Sequence, residues 1–316
     1  MGTMNVLGRA ALVSLVAVGV TAVSAEQRVF RSATKTVPVY ATVVGPDGHL
    51  VTNLTRDDFE VRDDDRPQAI TLFDNGIQPI SIVVMLDMSG SMEGNLPVLR
   101  QAAVQMFTRL LPADRARVGN FGSRITISPT FTSDENALIR SLWLDLKPGG
   151  PTPLWGAVNA AMNELASLEG RRVVLVLSDG KDTGMGWRGT TRVGPSLDDL
   201  IGRAQAEEFM VYAIGMYSRM APAGSRSGPR TRDPEPDPGL RELAAESGGG
   251  YFELSGTDAL GPVFARVADE LHRQYLIGFD APETDGRVHQ VSVRVAGGEL
   301  TVRARRSYLA PGPGGR

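Results

Sequence analysis

The chain contains no cysteine and only three histidines in 316 residues. The first absence excludes disulfide cross-links and any thiolate-held zinc. An excess of charge is missing as well: 33 basic and 36 acidic side chains are mixed along the chain and leave a net charge of -3. Without a basic stripe to follow a phosphate backbone, nucleic acid is not an expected partner. Long apolar runs are scarce, and the one candidate for a membrane segment, Ala10 to Val23, is shorter than the roughly 20 residues that cross a bilayer.

That run follows Arg9 and ends in "VSA", with the small residues Val23 and Ala25 ahead of the position where a leader would be cut. It reads as a signal peptide cleaved after Ala25, which makes the mature protein secreted or periplasmic, with no stable transmembrane anchor. The bland alternative is an uncleaved anchor.

What is present is ample apolar material, 42% of the chain, and a change of texture along it. From Thr36 to Phe73, short alternating stretches are broken by "GPDG", "NLTRDD" and "DDDRP" and read as antiparallel strands with polar turns. "ISIVVMLD", Ile80 to Asp87, is instead continuously apolar, as a parallel strand buried on both faces should be. Strand and helix patterns then alternate as far as "LGPVFARVADELHRQ", which predicts an α/β fold with a doubly wound, mostly parallel sheet. Beyond it, "YLIGFD", "RVHQVSVRV" and "ELTVRARRSYL" return to β text. The expected organisation is a leader over 1–25, an N-terminal β segment over 26–79, the α/β domain over 80–273, a C-terminal β segment over 274–309 and a disordered tail over 310–316. The two β segments should pack together as one small flanking β domain. Residues 218–238, rich in Pro, Gly, Ser and charge, read as a mobile surface insertion.

Ligands of doubly wound sheets sit beyond the carboxyl ends of the strands. Asp87 ends one apolar strand pattern in "VVMLDMSGSMEG", and Asp179 ends another in "VLVLSDG". Ser89 and Ser91 follow Asp87 at alternate positions, and Thr152 lies in the loop "PGGPTPLW" that leads towards Asp179. Two carboxylates and three hydroxyls make an oxygen-only donor set suited to Mg²⁺, Mn²⁺ or Ca²⁺. Taken singly, each has a structural reading. The serines can cap the next helix, Asp179-Gly180 can be a turn, and Thr152-Pro153 can open a helix.

Together, Asp87-Met88-Ser89-Gly90-Ser91, Thr152 and Asp179-Gly180 resemble, in order, the metal-ion-dependent adhesion site of von Willebrand factor type A domains. The resemblance spans about Ile80 to Leu254, with departures at Pro151, Gly156 and Asn120. The flanking segments resemble those of a secreted bacterial group of type-A-domain proteins that is numerous in acidobacteria. It implies a divalent ion held by Asp87, Ser89, Ser91, Thr152 and Asp179, and a protein partner that presents an exposed Asp or Glu at the ion's open position. It implies recognition and adhesion without catalytic turnover.

Three alternatives stand beside it: a scaffold with a vestigial metal site, a Mg²⁺-dependent phosphatase and a subunit of a cytoplasmic ring ATPase. In an aspartate-nucleophile phosphatase, the acid/base two residues after Asp87 would be a second Asp, and here it is Ser89. A serine hydrolase needs a base, and His49, His272 and His289 read as surface residues outside the α/β site. Trp143 reads as core, Trp155 as packing beneath the Thr152 loop or at its rim, and Trp187 as an exposed residue flanking the metal face.

The 218–238 insertion yields a direct expectation. Loop-closure entropy rises by only about 0.6 kcal/mol per doubling of length, so its removal should leave folding intact. Limited proteolysis, read by mass spectrometry, should cut between Ser218 and Pro238 before any other site.

Overall fold

The computed structural model describes residues 36–143, 149–184, 194–217, 235–297 and 299–312, which fall in one compact unit, Ser32–Arg316. The expected leader, residues 218–234 of the expected insertion and Trp187 lie outside the described residues. The end of that stretch is docked rather than free, with Pro236 buried and Asp237 Oδ1 accepting from Gly239 N–H at 3.0 Å, so only the part before it can be dispensable. In chain order come β1 (Thr36–Val44), β2 (Phe59–Asp63), β3 (Arg66–Gln68), β4 (Ile70–Asp74), β5 (Ile80–Asp87), α1 (Leu96–Phe107), β6 (Arg115–Phe121), β7 (Ile125–Ile127), α2 (Glu135–Trp143) and α3 (Leu154–Leu165). There follow β8 (Arg171–Ser178), α4 (Leu197–Glu207), β9 (Phe209–Met216), α5 (Gly239–Ser247), β10 (Tyr251–Leu254), α6 (Leu260–Leu271), β11 (Tyr275–Asp280), β12 (Val288–Val295), β13 (Thr301–Arg303) and β14 (Ser307–Leu309).

The centre is a mixed six-stranded sheet in the order β10-β9-β8-β5-β6-β7, parallel except for β7, which runs antiparallel to β6. Its inner strands are apolar on both faces because both are covered: every residue of β9 is buried, and all of β5 from Ile82 onwards. Leu99, Met106, Phe264 and Leu271, from α1 and α6, pack on one face. Leu154, Val158, Leu200 and Leu243, from α3, α4 and α5, pack on the other. The chain passes from β5 outward to β6 and then returns to β8 on the opposite side of β5. This reversal places a crevice at the carboxyl ends of β5 and β8.

The flanking segments form two four-stranded sheets, β13-β1-β11-β4 and β14-β12-β2-β3. Each draws strands from both ends of the chain. Register pairs Val39 with Ile277 in the first and Val61 with Val293 in the second. Val39, Val61, Tyr275, Phe279 and Tyr308 fill a core of their own, with the Phe59 and Tyr275 rings 4.9 Å apart. This is the small flanking β domain expected from the texture of the sequence. Order also continues past Leu309: Ala310 is buried, and its N–H donates to Arg287 O at 2.8 Å.

A buried polar network joins the β sheets to the α/β unit. Arg171, at the start of β8, donates to Leu271 O and to the Gln274 side chain, and its guanidinium lies 4.7 Å from the Tyr40 ring centroid. Gln274 in turn donates to Thr42 Oγ1 at 2.6 Å and to the Tyr212 hydroxyl at 3.2 Å. Glu270, with no exposed surface, is paired with Arg303 and with Arg266.

Two expectations are corrected here. Trp143 is 61% exposed: it closes α2, where its apolar neighbours face the core and it lies with Arg100 at 4.7 Å from its ring centroid. His289 is only 5% exposed because β12 turns it inward among carboxylates. No helix among the described residues is long and apolar enough to cross a membrane.

Gln274 bonds to residues of both the flanking sheets and the α/β unit, Thr42 on one side and Tyr212 on the other. Gln274→Leu keeps the volume but leaves the Arg171 guanidinium and the Thr42 hydroxyl short of partners, which costs about 1–3 kcal/mol for such a buried group. Urea unfolding should show a lower midpoint with an unchanged slope.

Candidate metal centre

β5 delivers Asp87 to the crevice with no exposed surface. The chain then bends sharply. Ser89 N–H donates back to Asp87 Oδ1 at 2.8 Å, while Met88 N–H still reaches Phe121 O at the end of β6, at 2.7 Å. Ser89 precedes a short 3₁₀ turn, Gly90–Asn95, and its side chain makes no capping bond. The two serine hydroxyls instead face each other at 3.1 Å, and Ser91 Oγ donates to Asp179 Oδ1 at 2.7 Å. Asp179, just past β8, is also fully buried.

Thr152 arrives on a loop stitched to the same edge. Gly149 N–H donates to Met88 O at 2.8 Å and Gly149 O accepts from Ser123 N–H at 3.0 Å. Gly149 and Gly150 hold φ of +128° and +89°, which L side chains rarely adopt. The loop closes on the Asp179 turn, where Thr152 N–H meets Thr183 Oγ1 at 2.9 Å and Thr183 N–H meets Thr152 O at 3.0 Å. A Cβ on Gly180 would stand 3.1 Å from Thr152 Oγ1, so glycine permits the threonine hydroxyl to lie directly against this turn. The cap of α3 falls on Pro153 without a side-chain bond, so Thr152 is not engaged as a helix cap.

The structure thus brings Asp87, Ser89, Ser91 and Asp179 into one hydrogen-bonded cluster and sets Thr152 beside Gly180. Three further residues were not read from the sequence. Ser178 Oγ donates to Asp87 Oδ2 at 2.5 Å. Asp182 Oδ1 accepts from Trp155 N–H at 3.1 Å, and Asp182 N–H donates to Asp237 Oδ2 at 2.9 Å. Trp155 is 3% exposed and packs beneath the loop, close enough to Gly239 that a Cβ there would lie 2.7 Å from its ring.

Burial dominates the electrostatics. It pushes the Asp87 carboxyl up to about 6, against the hydrogen bonds from Ser178 and Ser89, and the like charge of Asp179 adds to the rise. A cation between the two carboxylates would reverse that penalty. The donors are all carboxylate or hydroxyl oxygens, which fits a hard divalent ion such as Mg²⁺, Mn²⁺ or Ca²⁺.

Residues 81–266 match the family model of the von Willebrand factor type A domain. The chain belongs to this family. No curated protein matches it significantly. Similar solved structures include an aerotolerance-related membrane protein from Bacteroides fragilis, 17% identical over 60% of this chain and 99% of that chain, with a TM-score of 0.44. A von Willebrand factor type A protein from Catenulispora acidiphila is 13% identical over 89% of this chain and 76% of that one, with a TM-score of 0.47. Proximal thread matrix protein 1 from the mussel byssus, with a zinc-occupied adhesion-site motif, is 15% identical over 65% of this chain, with a TM-score of 0.49. The present chain spans about half of it, 48%.

The type A chain carries a second candidate metal group in its flanking sheets, with a nitrogen donor. Ligand atoms of Asp63, Asp64 and His289, and of Glu283, Asp285 and His289, lie within 4.8 Å of one another. His289 Nδ1 is 3.1 Å from Asp63 Oδ1 and Nε2 is 3.3 Å from Asp285 Oδ1. Burial lowers the imidazole's pKa, but Asp285, Asp63 and Asp64 outweigh it and leave the group above its ordinary value.

Asp87 generates a pH expectation whose sign is fixed. Its folded value lies above the ordinary 3.8, so its favourable contribution to the ion-free fold is present below that value and fades as pH rises through about 6. Melts in chelator should therefore lose stability across that window. Melts with saturating Mn²⁺ should lose less, and Asp87→Asn should flatten the difference.

Proposed function

We propose that this protein is a binding module that recognises an acidic side chain of a protein partner through a divalent cation held by Asp87, Ser89, Ser91, Thr152 and Asp179. The observation that carries the reading is the cluster at the crevice, in which the Ser89 and Ser91 hydroxyls link the end of β5 to Asp179, just past β8. A bound Mg²⁺ or Mn²⁺ supplies one electrophilic position for an outside carboxylate. Asp87 and Asp179 provide the charge that retains it, and the neutral hydroxyls leave that position strongly cationic.

The histidines lie elsewhere, which favours binding over hydrolysis. His49 pairs with Asp47 on the surface. His272 Nε2 sits 2.7 Å from Asp114, whose carboxylate accepts from Ile80 N–H at the opposite end of β5. His289 is among the carboxylates of the flanking sheets. The serines at the crevice are engaged with each other and with Asp179 instead of with an imidazole.

The leader motif at Ala10–Ala25 supports a secreted or periplasmic location for the module. The two terminal sheets would serve as its base, at the end of the sheet away from the crevice.

An ion that binds only the folded state stabilises it by about 2.7 kcal/mol at a hundredfold excess over its Kd. Mg²⁺ titration followed by calorimetric melting should show that rise in the wild type and not in Asp87→Ala. A pull-down from an envelope fraction should recover the partner in Mg²⁺ and lose it in EDTA, and changing the partner's contacting Asp to Asn should weaken binding about as much. A partner retained equally in EDTA and by Ser89→Ala would refute the reading.

A further inference from the structure

We propose that Ser178 is a positioning residue that sets the ion-size preference of the crevice by locking the Asp87 carboxylate, an inference that rests on the metal-binding reading of the site. Ser178 ends β8, where Leu177 pairs with Leu86 in parallel register, so its side chain arrives beside Asp87 at the tips of the two central strands. Both residues have no exposed surface.

The direction of the hydrogen bond follows from the donor inventory. Gly180 N–H can only donate, and it reaches Ser178 Oγ at 3.2 Å. An ionised Asp87 can only accept, and its Oδ2 lies 2.5 Å from the same oxygen. The single hydroxyl hydrogen therefore goes to Asp87, the 3.4 Å approach to Gly180 O being much the longer. Asp87 Oδ1 is held independently by Ser89 N–H at 2.8 Å.

One donor on each oxygen fixes the carboxylate against both rotation and tilt.

Such a rigid carboxylate discriminates by size. Mg²⁺ demands near-ideal octahedral geometry with bonds of about 2.0–2.1 Å, whereas Ca²⁺ accepts irregular shells with bonds of about 2.3–2.6 Å. A carboxylate pinned at both oxygens cannot shift by those few tenths of an ångström, whether it would meet the ion directly or through a water that it holds in place. With Ser178 removed, Asp87 pivots on its one remaining contact with Ser89 and accommodates the larger ion more readily.

The test is isothermal titration of Mg²⁺ and of Ca²⁺ into the wild type, Ser178→Ala, Ser178→Thr and Asp87→Ala, with melting in EDTA to verify that each variant folds. Removing a side chain that orients a metal ligand typically costs 10–100-fold in affinity. Ser178→Ala should therefore lose about that much for Mg²⁺ and clearly less for Ca²⁺, narrowing the ratio of the two. Ser178→Thr retains the hydroxyl and should restore the wild-type ratio. Equal losses for both ions, or no change for either, overturn the positioning role while leaving the metal site standing. A wild type that binds neither ion, or an Asp87→Ala protein that binds Mg²⁺ as the wild type does, overturns the metal-binding reading and this inference with it.

Discussion

Two carboxylates buried at the tips of neighbouring strands form the constraint that the crevice is built around. Asp87 and Asp179 lose their hydration on folding and repel each other, and the protein meets this with hydroxyl and amide donors from Ser178, Ser89 and Ser91. The surrounding backbone follows from that need. The sharp bend after Asp87 turns an amide back towards it, and the paired glycines before Thr152 bring a third segment down onto the same turn. A purely structural site would gain by replacing such a pair with apolar residues of similar volume. On the proposed reading, the pair is preparation for a cation.

Much of this was legible in the sequence because two periodicities carried it. Continuous apolar runs ending in Asp87 and Asp179 marked parallel strands and their carboxyl ends, and the alternation of Ser89 and Ser91 placed both hydroxyls on one side of a turn. The capping role open to Ser89 is not taken up, since its side chain makes no capping bond at the start of the 3₁₀ turn. Ser178 escaped notice because it sits inside an apolar run, where a small polar residue looks like a tolerated interruption. Only the register of β5 against β8 shows that it faces Asp87. Trp143 and His289 were misread for a related reason: hydrophobicity and polarity predict average burial, but helix phase and strand orientation decide the individual residue. The Asp63, Asp64 and His289 group, assembled from positions more than 220 residues apart, left no local signal at all.

The junction between the two halves is polar where a simple packing argument would expect apolar contact. Arg171, Gln274, Thr42 and Tyr212 share hydrogen bonds across it, and Glu270 neutralises Arg303 and Arg266. Directional bonds of this kind specify one orientation of the flanking sheets on the α/β unit, whereas apolar surfaces alone tolerate sliding. Because the junction engages the starting residue of β8 and the crevice engages its last, the same strand carries both.

The interleaving of the terminal strands also imposes a timetable on the growing chain. Thr36 and its partner Asp280 are separated by 244 positions, so β1 to β4 are made long before the strands that complete their sheets. The α/β unit, whose parallel strands are nearer neighbours in sequence, can close first and bring the two ends together. Until then the N-terminal strands present open backbone edges of the kind that pair indiscriminately with other chains. Completion of the C-terminal strands is thus the step that withdraws those edges, and a chain interrupted before Tyr275 would be marked by them as unfinished.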